Sequence, residues 1–298
     1  MEKAILKTLS YSDIFDYPLK AYEIHKWLIK QPAHTYQIEE ALKRLIKKGK
    51  LAQYQDFYFL KSRKALVKKR LEREKQSKSY LLKARVFSQV LKIVPFVKLV
   101  GVSGGLAMNN ASKADDIDLF IITENNRVFL SRLFAIVSFD AMSVRRKVDM
   151  SEKQAAGKIC LNLILEESKL SQQEQNVFVA HEVLQMKVLW ERDNMYSKYL
   201  ESNAWVFEYL PNWAVGKVAS SKFKVKQSFS LSKSLKKKKP IEKVFGISLN
   251  LLEVLAKWFQ LKIMQRPKGN ERIEEGALYF HPNNYQEQIL TKFKKVDL

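Results

Sequence analysis

Between Val97 and Glu124 the chain reads VKLVGVSGGLAMNNASKADDIDLFIITE, and few backbones accommodate that order of residues. Two apolar runs of strand length flank a turn, and three of the nine glycines, Gly101, Gly104 and Gly105, fall within five residues of it. Cores do not concentrate glycine. Backbones that need positive φ, or that must approach a ligand closely, do. The spacing predicts a strand, a glycine turn and a helix from Leu106 whose unpaired N–H groups face an anion. The second run opens on Asp116-Ile117-Asp118. Residues i and i+2 of a strand share a face, so the two carboxylates converge while Ile117 and Leu119 turn the other way. Such a pair is tolerable mainly when a cation neutralises it, and hard oxygen ligands beside phosphates suit Mg²⁺. Asp116 and Asp118 are therefore candidate metal ligands, beside a candidate nucleotide site.

Strand, glycine turn, short helix and then Asp-x-Asp on a second strand resembles the nucleotidyltransferase fold of the DNA polymerase β superfamily. The family pattern is a hydrophobic strand, Gly-Ser, a spacer, and Asp-x-Asp followed by apolar residues; this chain gives Gly104-Gly105, then Asp116-Ile117-Asp118-Leu119-Phe120. It departs at Gly105, where most members carry a serine that contacts the phosphates, although the CCA-adding branch also uses Gly-Gly. The resemblance implies an α/β (α+β) nucleotidyltransferase-like mixed sheet. It also implies transfer of a nucleoside monophosphate from an NTP to a hydroxyl or phosphate acceptor. Asp116 and Asp118 would be catalytic as Mg²⁺ ligands, and Ser103, Gly104 and Gly105 would lie along the triphosphate. Members of the superfamily usually take a third carboxylate from a later strand, expected here over Lys158 to Leu165. This chain offers Asn162 there, an amide that can ligate a metal or nucleotide but cannot act as a base; Glu166 and Asp149 are the candidate substitutes. The stretch from Lys158 to Trp190 resembles a poorly characterised group of winged-helix-plus-nucleotidyltransferase proteins with asparagine at this place.

The chain divides into residues 1–62, 63–92, 93–190 and 191–298. In the first unit Ala4, Ile5 and Leu9 give a short apolar face, with Ser10 or Ser12 available to cap the next segment. A second helix runs through Ile24, Trp27 and Leu28 and ends before Gln31-Pro32. A third, capped by Thr35, carries Ile38, Ala41, Leu42 and Leu45 at helical spacing until Gly49 stops it. Leu51 to Leu60 predicts two short strands turning at Gln55-Asp56. This order resembles a winged helix-turn-helix. Lys43, Arg44, Lys47, Lys48 and Lys50 lie beside its recognition helix and wing, where they either contact nucleic acid or solvate an outer face. Residues 61–92 hold twelve basic side chains and two acids without proline or glycine. They predict a long helix whose second half docks through Leu81, Leu82, Ala84, Phe87, Val90 and Leu91.

Beyond Thr123, residues 128–144 predict a helix covering the sheet, followed by the polar Arg145-Arg146-Lys147. Cys160 lies in an apolar run and reads as a small buried hydrophobe; as the one cysteine it excludes an internal disulfide. His181 sits on an amphipathic helix extending over 180–188 and reads as packed and hydrogen-bonded rather than a metal ligand. The last region reads as helical: Trp205, Phe207, Leu210 and Trp213 as core, residues 217–243 as a lysine-rich linker, 247–264 as an apolar helix closed by Pro267-Lys268-Gly269, and 283–293 as a short final helix.

A balance of 53 Lys+Arg against 31 Asp+Glu leaves a formal charge of +22. That excess predicts a polyanionic partner, with nucleic acid first, through residues 43–50, 61–92 and 217–243, and an anionic membrane surface second. No transmembrane segment or signal peptide is legible, and a cytoplasmic protein is expected. A different functional class fits the same features: a nucleic-acid-binding regulator whose transferase-like domain senses nucleotide without catalysis.

Overall fold

The structure, a computed structural model, describes residues 1–147, 149–214, 240–264, 272–280 and 284–295. These form a mixed α/β protein of twelve α-helices, a three-stranded antiparallel sheet and a six-stranded mixed sheet.

In the N-terminal unit, α1 (Glu2–Asp13), α2 (Ala21–Lys26) and α3 (Thr35–Lys47) bury Ile5, Leu9, Ile24, Leu28, Ile38 and Leu42 together. A two-residue strand, β1 (Leu19–Lys20), joins the hairpin β2 (Leu51–Tyr54) and β3 (Phe57–Leu60) in the order β1-β3-β2. Helices and hairpin follow the sequence spacing, and Gly49 at φ +64° ends α3. Three details differ. Ser10 and Ser12 lie inside α1 and cap nothing beyond it; Ser12 Oγ donates back to Leu9 O at 3.0 Å. α2 stops at Lys26, short of Trp27 and Leu28. The cap of α3 is His34, whose N–H donates to Gln37 Oε1 at 2.9 Å, and Thr35 is its first helical residue.

Residues Ala65–Ser88 form the long helix α4. Its docking stripe is narrower than the composition suggests: Ala84 and Leu91 are buried, whereas Leu82 is exposed. Its basic half, conversely, is partly consumed inside the protein. Arg70 is buried with its guanidinium 2.9 Å from Glu23 and 2.7 Å from Glu74, stacked 3.6 Å above the Tyr17 ring. Arg63 and Lys69 reach Asp16 at 2.5 and 2.6 Å, and Arg73 donates to Phe15 O and Asn110 Oδ1. The helix crosses from the small unit to the large sheet, so the faces it meets carry its counter-charges.

The large sheet comprises β4 (Val97–Val102), β5 (Ile117–Thr123), β6 (Ile159–Glu166), β7 (Lys187–Glu191), β8 (Arg272–Glu274) and β9 (Ala277–Tyr279), in the order β7-β4-β5-β6-β9-β8. The β5–β6 pair is parallel and the others antiparallel. Alternation sorts the side chains into two cores. Val100, Val102, Leu119, Ile121 and Ile164 pack with α6 (Val128–Ala141). Leu99, Phe120, Ile122 and Leu165 pack with α8 (Val177–Gln185), α9 (Met195–Ser202) and α10 (Val206–Tyr209). Two single-turn helices, α5 (Gly104–Ala107) and α7 (Glu152–Ala155), connect these strands.

The region from 191 onward is not helical throughout. After α11 (Pro240–Met264), which starts earlier than the apolar run over 247–264 suggests, β8 and β9 return to the sheet beside β6, ahead of α12 (Asn284–Lys294). Residues 187–191 form edge strand β7 rather than the end of the preceding helix, because Met186 turns to φ −48°, ψ 130°. Strands of three to five residues are too short to show a period, and the open edges of β4 and β6 decide them. Trp213 and Leu210 are core residues as expected. Most of the lysine-rich linker, its residues 217–239, and Pro267-Lys268-Gly269 lie outside the described residues. Among the described residues no helix is long and apolar enough to cross a membrane.

Candidate functional site

β4 ends at Val102 and the chain turns through Ser103 into α5, which starts at Gly104, two residues before the expected Leu106, and lasts one turn. Gly104 sits at φ +59°, a conformation that side chains other than glycine rarely adopt. A side-chain carbon there would lie 3.2 Å from Asp118 Oδ2, so the turn rests against the carboxylate. Gly105 has φ outside that region, and a side-chain carbon there would make ordinary contacts, the nearest with Asn110 O at 3.7 Å. Gly101 has a packing purpose, not a ligand-facing one. A carbon on it would come within 2.5 Å of Met186 Sδ and 3.0 Å of Lys187 O, so its bareness lets β7 close on β4.

Asp116 and Asp118 converge as the i, i+2 spacing predicts, and Ile117 and Leu119 are fully buried on the opposite side. The third member of the cluster is Cys160, directly across the parallel ladder from Asp118; ligand atoms of the three residues lie within 4.8 Å of one another. Its thiol donates to the Asp118 carboxylate, and burial together with the two aspartates pushes its pKa well above the usual thiol value. Cys160 is thus a protonated, part-exposed member of the site rather than a piece of core. Burial, then the neighbouring Asp116, raises the Asp118 pKa to about 7, against the Cys160 hydrogen bond and Arg146, which lower it.

Arg146, like Cys160, is a residue whose role sequence reasoning missed. Its Nη1 lies 2.5 Å from Asp116 Oδ2. The local fold holds it there: Arg146 N donates to Ile159 O at 2.8 Å, and neighbouring Arg145 is clamped by both oxygens of Asp140 at 2.9 and 2.8 Å. In the sequence it stands in a polar run with no period and no motif, thirty residues from its partner.

Ser103 and Asn162 meet each other. Asn162 Nδ2 donates to Ser103 Oγ at 3.1 Å, and both residues are buried. The register shifts between Leu119 and Phe120, opposite Leu161 and Leu163, which places Asn162 at a bulge behind the glycine turn. The Ser103 N–H is used by Asp118 O at 3.1 Å, so it is not a free donor for an anion. Among the described residues, no protein acceptor pairs with the N–H groups of Gly104 and Gly105. Neither candidate substitute joins the aspartates. Glu166, at the far end of β6, accepts from Asn126 N at 2.8 Å, and exposed Asp149 stays outside the cluster.

A cavity of about 370 Å³ opens at Gly104, Gly105 and Asp115 and runs between the N-terminal unit and α8, past Tyr11, Phe15, Trp27 and His181. His181 is packed as expected, stacked 4.4 Å from Tyr11, but its Nε2 has no hydrogen-bond partner among the described residues. Burial depresses its pKa to about 3, so the ring is neutral near pH 7.

The basic surface of α3 is reduced by internal pairing. Arg44 and Lys48 reach Glu2 at 3.3 and 2.7 Å, leaving Lys43, Lys47 and Lys50 exposed without an ion pair among the described residues. Compared with protein-family models, curated proteins and solved structures, the chain matches none of them.

Proposed function

We propose that this protein is a Mg²⁺-dependent nucleotidyltransferase that moves a nucleoside monophosphate from an NTP to a hydroxyl or phosphate acceptor. The observation that carries this reading is the contact between turn and carboxylates, with Gly104 only one missing side chain away from Asp118. A phosphate chain seated on the Gly104 and Gly105 N–H groups lies within reach of a cation held by Asp116 and Asp118. The strand order and the resemblance to the polymerase β superfamily support it, as does the cavity, whose volume suits a nucleoside.

The donor set fits one Mg²⁺. Two hard carboxylate oxygens leave the remaining octahedral positions to water and phosphate, as Mg²⁺ prefers, while the protonated Cys160 thiol is too soft to ligate it. Burial first and the neighbouring Asp116 second raise the Asp118 pKa, and a bound cation would offset both. When bound, the ion would orient the α-phosphate and steady charge on the leaving pyrophosphate. Asp116 and Asp118 would hold it, the glycine turn would fix the triphosphate, and Arg146, released from Asp116, would be free to pair with a phosphate oxygen. The acceptor oxygen forms a bond to the α-phosphorus, the α–β phosphoanhydride bond breaks, and the acceptor proton leaves to solvent.

The test is equilibrium binding of each NTP with and without Mg²⁺, then label transfer to total RNA. Asp116→Ala and Asp118→Ala are expected to abolish metal-dependent binding with circular dichroism unchanged. Tight, Mg²⁺-dependent binding retained by both variants refutes the metal assignment.

One observation favours a second reading. The exposed Lys43 and Lys47 lie on α3 and Lys50 at the entry to the β2–β3 hairpin, an arrangement that resembles a winged helix-turn-helix and suits nucleic-acid contact. A nucleotide-sensing regulator of this kind is expected to bind nucleic acid in a salt-dependent way that ignores Asp118 and to release no pyrophosphate.

A further inference from the structure

α11 is built inside out. The side chains it turns to the protein are mostly polar. Glu253 accepts from the Phe129 and Leu130 N–H groups at 2.9 and 2.8 Å, and Gln260 accepts from Arg132 and donates to Phe129 O, both at 2.7 Å. Ala256 completes that buried stripe. At about 100° per residue the opposite side of the helix carries Leu251, Leu255 and Trp258, bordered by Val254 and Phe259, while Ile263 lies at the end of the helix two turns beyond Ala256. All six are exposed, Trp258 at 63%, Leu251 and Val254 at 61% and Ile263 at 57%. A surface helix of an isolated globular protein shows the reverse arrangement.

We infer that this face is a membrane contact, with α11 lying in the plane of an anionic bilayer surface and its apolar side set into the boundary between headgroups and acyl chains. Charge complementarity selects the partner. The chain carries a net +22, with ten lysines against one acid between Lys217 and Lys243 of the sequence, and on the helix itself Lys257 and Lys262 are exposed. Basic residues next to an apolar helix face are the combination that anionic lipid retains. Lys262 separates this partner from a second copy of the chain. It is exposed amid the apolar side chains, with its Nζ 5.3 Å from the Trp258 ring centre. In an apolar seam between two copies that ammonium would be buried, whereas at a bilayer a lysine extends to the phosphates and tryptophan favours the headgroup level. The helix lies on the surface rather than through it, since no helix of the described residues is long and apolar enough to cross.

The test uses the full chain with vesicles of phosphatidylcholine alone or mixed with phosphatidylglycerol, separated by sedimentation at low and high salt. The wild type is expected to pellet with the phosphatidylglycerol vesicles, less so at high salt. The triple variant Leu255→Glu/Trp258→Glu/Phe259→Glu touches none of the buried stripe and is expected to lose binding by about tenfold or more, with circular dichroism unchanged. A Leu251→Ser/Leu255→Ser variant should fall between the two. The inference is overturned if the wild type stays in the supernatant with both vesicles, or if the triple variant binds as well as the wild type. It is equally overturned if light scattering shows a dimer that the triple variant dissolves while vesicles capture nothing.

Discussion

Asp118 sets the titration of the site. Its pKa near 7 lies above the value near 4 of an unfolded chain, so the folded protein binds the proton more readily. Its contribution to stability is complete below pH 4 and is lost as pH rises through 7. Asp118→Asn is therefore expected to stabilise the metal-free protein at pH 8 by on the order of 4 kcal/mol, with the gain shrinking to less than half of that at pH 5. Chelator-treated thermal melts at both pH values check this, and an equal gain at both would remove the linkage. The glycines make a paired prediction. Gly101→Ala forces β7 off β4 and should cost about 1–3 kcal/mol in a denaturant titration. Gly105→Ser has room and should shift stability by no more than about 0.5 kcal/mol. If phosphates lie on the turn, its hydroxyl tightens NTP binding; weaker binding would put them elsewhere. The turn at Gly104 and the paired aspartates were legible in sequence because strand period and turn chemistry are local; the packing purpose of Gly101 was not, since it depends on β7. Arg146 and Cys160 were not, since the first reaches Asp116 by a backbone bond to Ile159 and the second owes its environment to pairing with Asp118.

At the scale of elements, the joint around Arg70 decides how the N-terminal unit meets the rest. Arg70 holds Glu23 of α2 and Glu74 of its own helix over the Tyr17 ring, and Tyr17 OH donates to Met108 O at 2.5 Å, just past α5. This chain of contacts ties the small unit to the glycine turn. Removing one partner strands a buried charge, so Arg70→Ala should destabilise by about 3–5 kcal/mol and divide one thermal transition into two. A single transition at unchanged midpoint would show that the ion pair is not the joint. The i, i+4 spacing of Arg70 and Glu74 was visible in the sequence. Glu23, forty-seven positions from Arg70, became a partner only when α2 met α4. Propensity likewise made α4 a helix, but which side of it packs was settled by its neighbours, which is why Leu82 is exposed and Arg70 is not.

For the whole molecule, a net charge of +22 means self-repulsion that salt relieves. Raising NaCl from about 20 to about 300 mM, where the Debye length falls well below 10 Å, should raise the melting temperature. A fall would mean that the ion pairs around Asp16, Glu23 and Glu2 outweigh the repulsion. The sequence by itself determined the N-terminal helices and hairpin, the long basic helix, and the convergence of Asp116 with Asp118 beside a glycine turn, because each rests on a period or a turn preference a few residues long; the α/β class followed from the resemblance those residues carry. Tertiary structure decided the rest. It brought β8 and β9 to the edge of β6, made β7 a strand where the sequence continued a helix, set Cys160 and Arg146 against the aspartates, and left the apolar side of α11 facing out. Short strands need an open sheet edge to pair with, and an ion pair or buried stripe exists only once two distant segments share a surface, so no window of the sequence contains them.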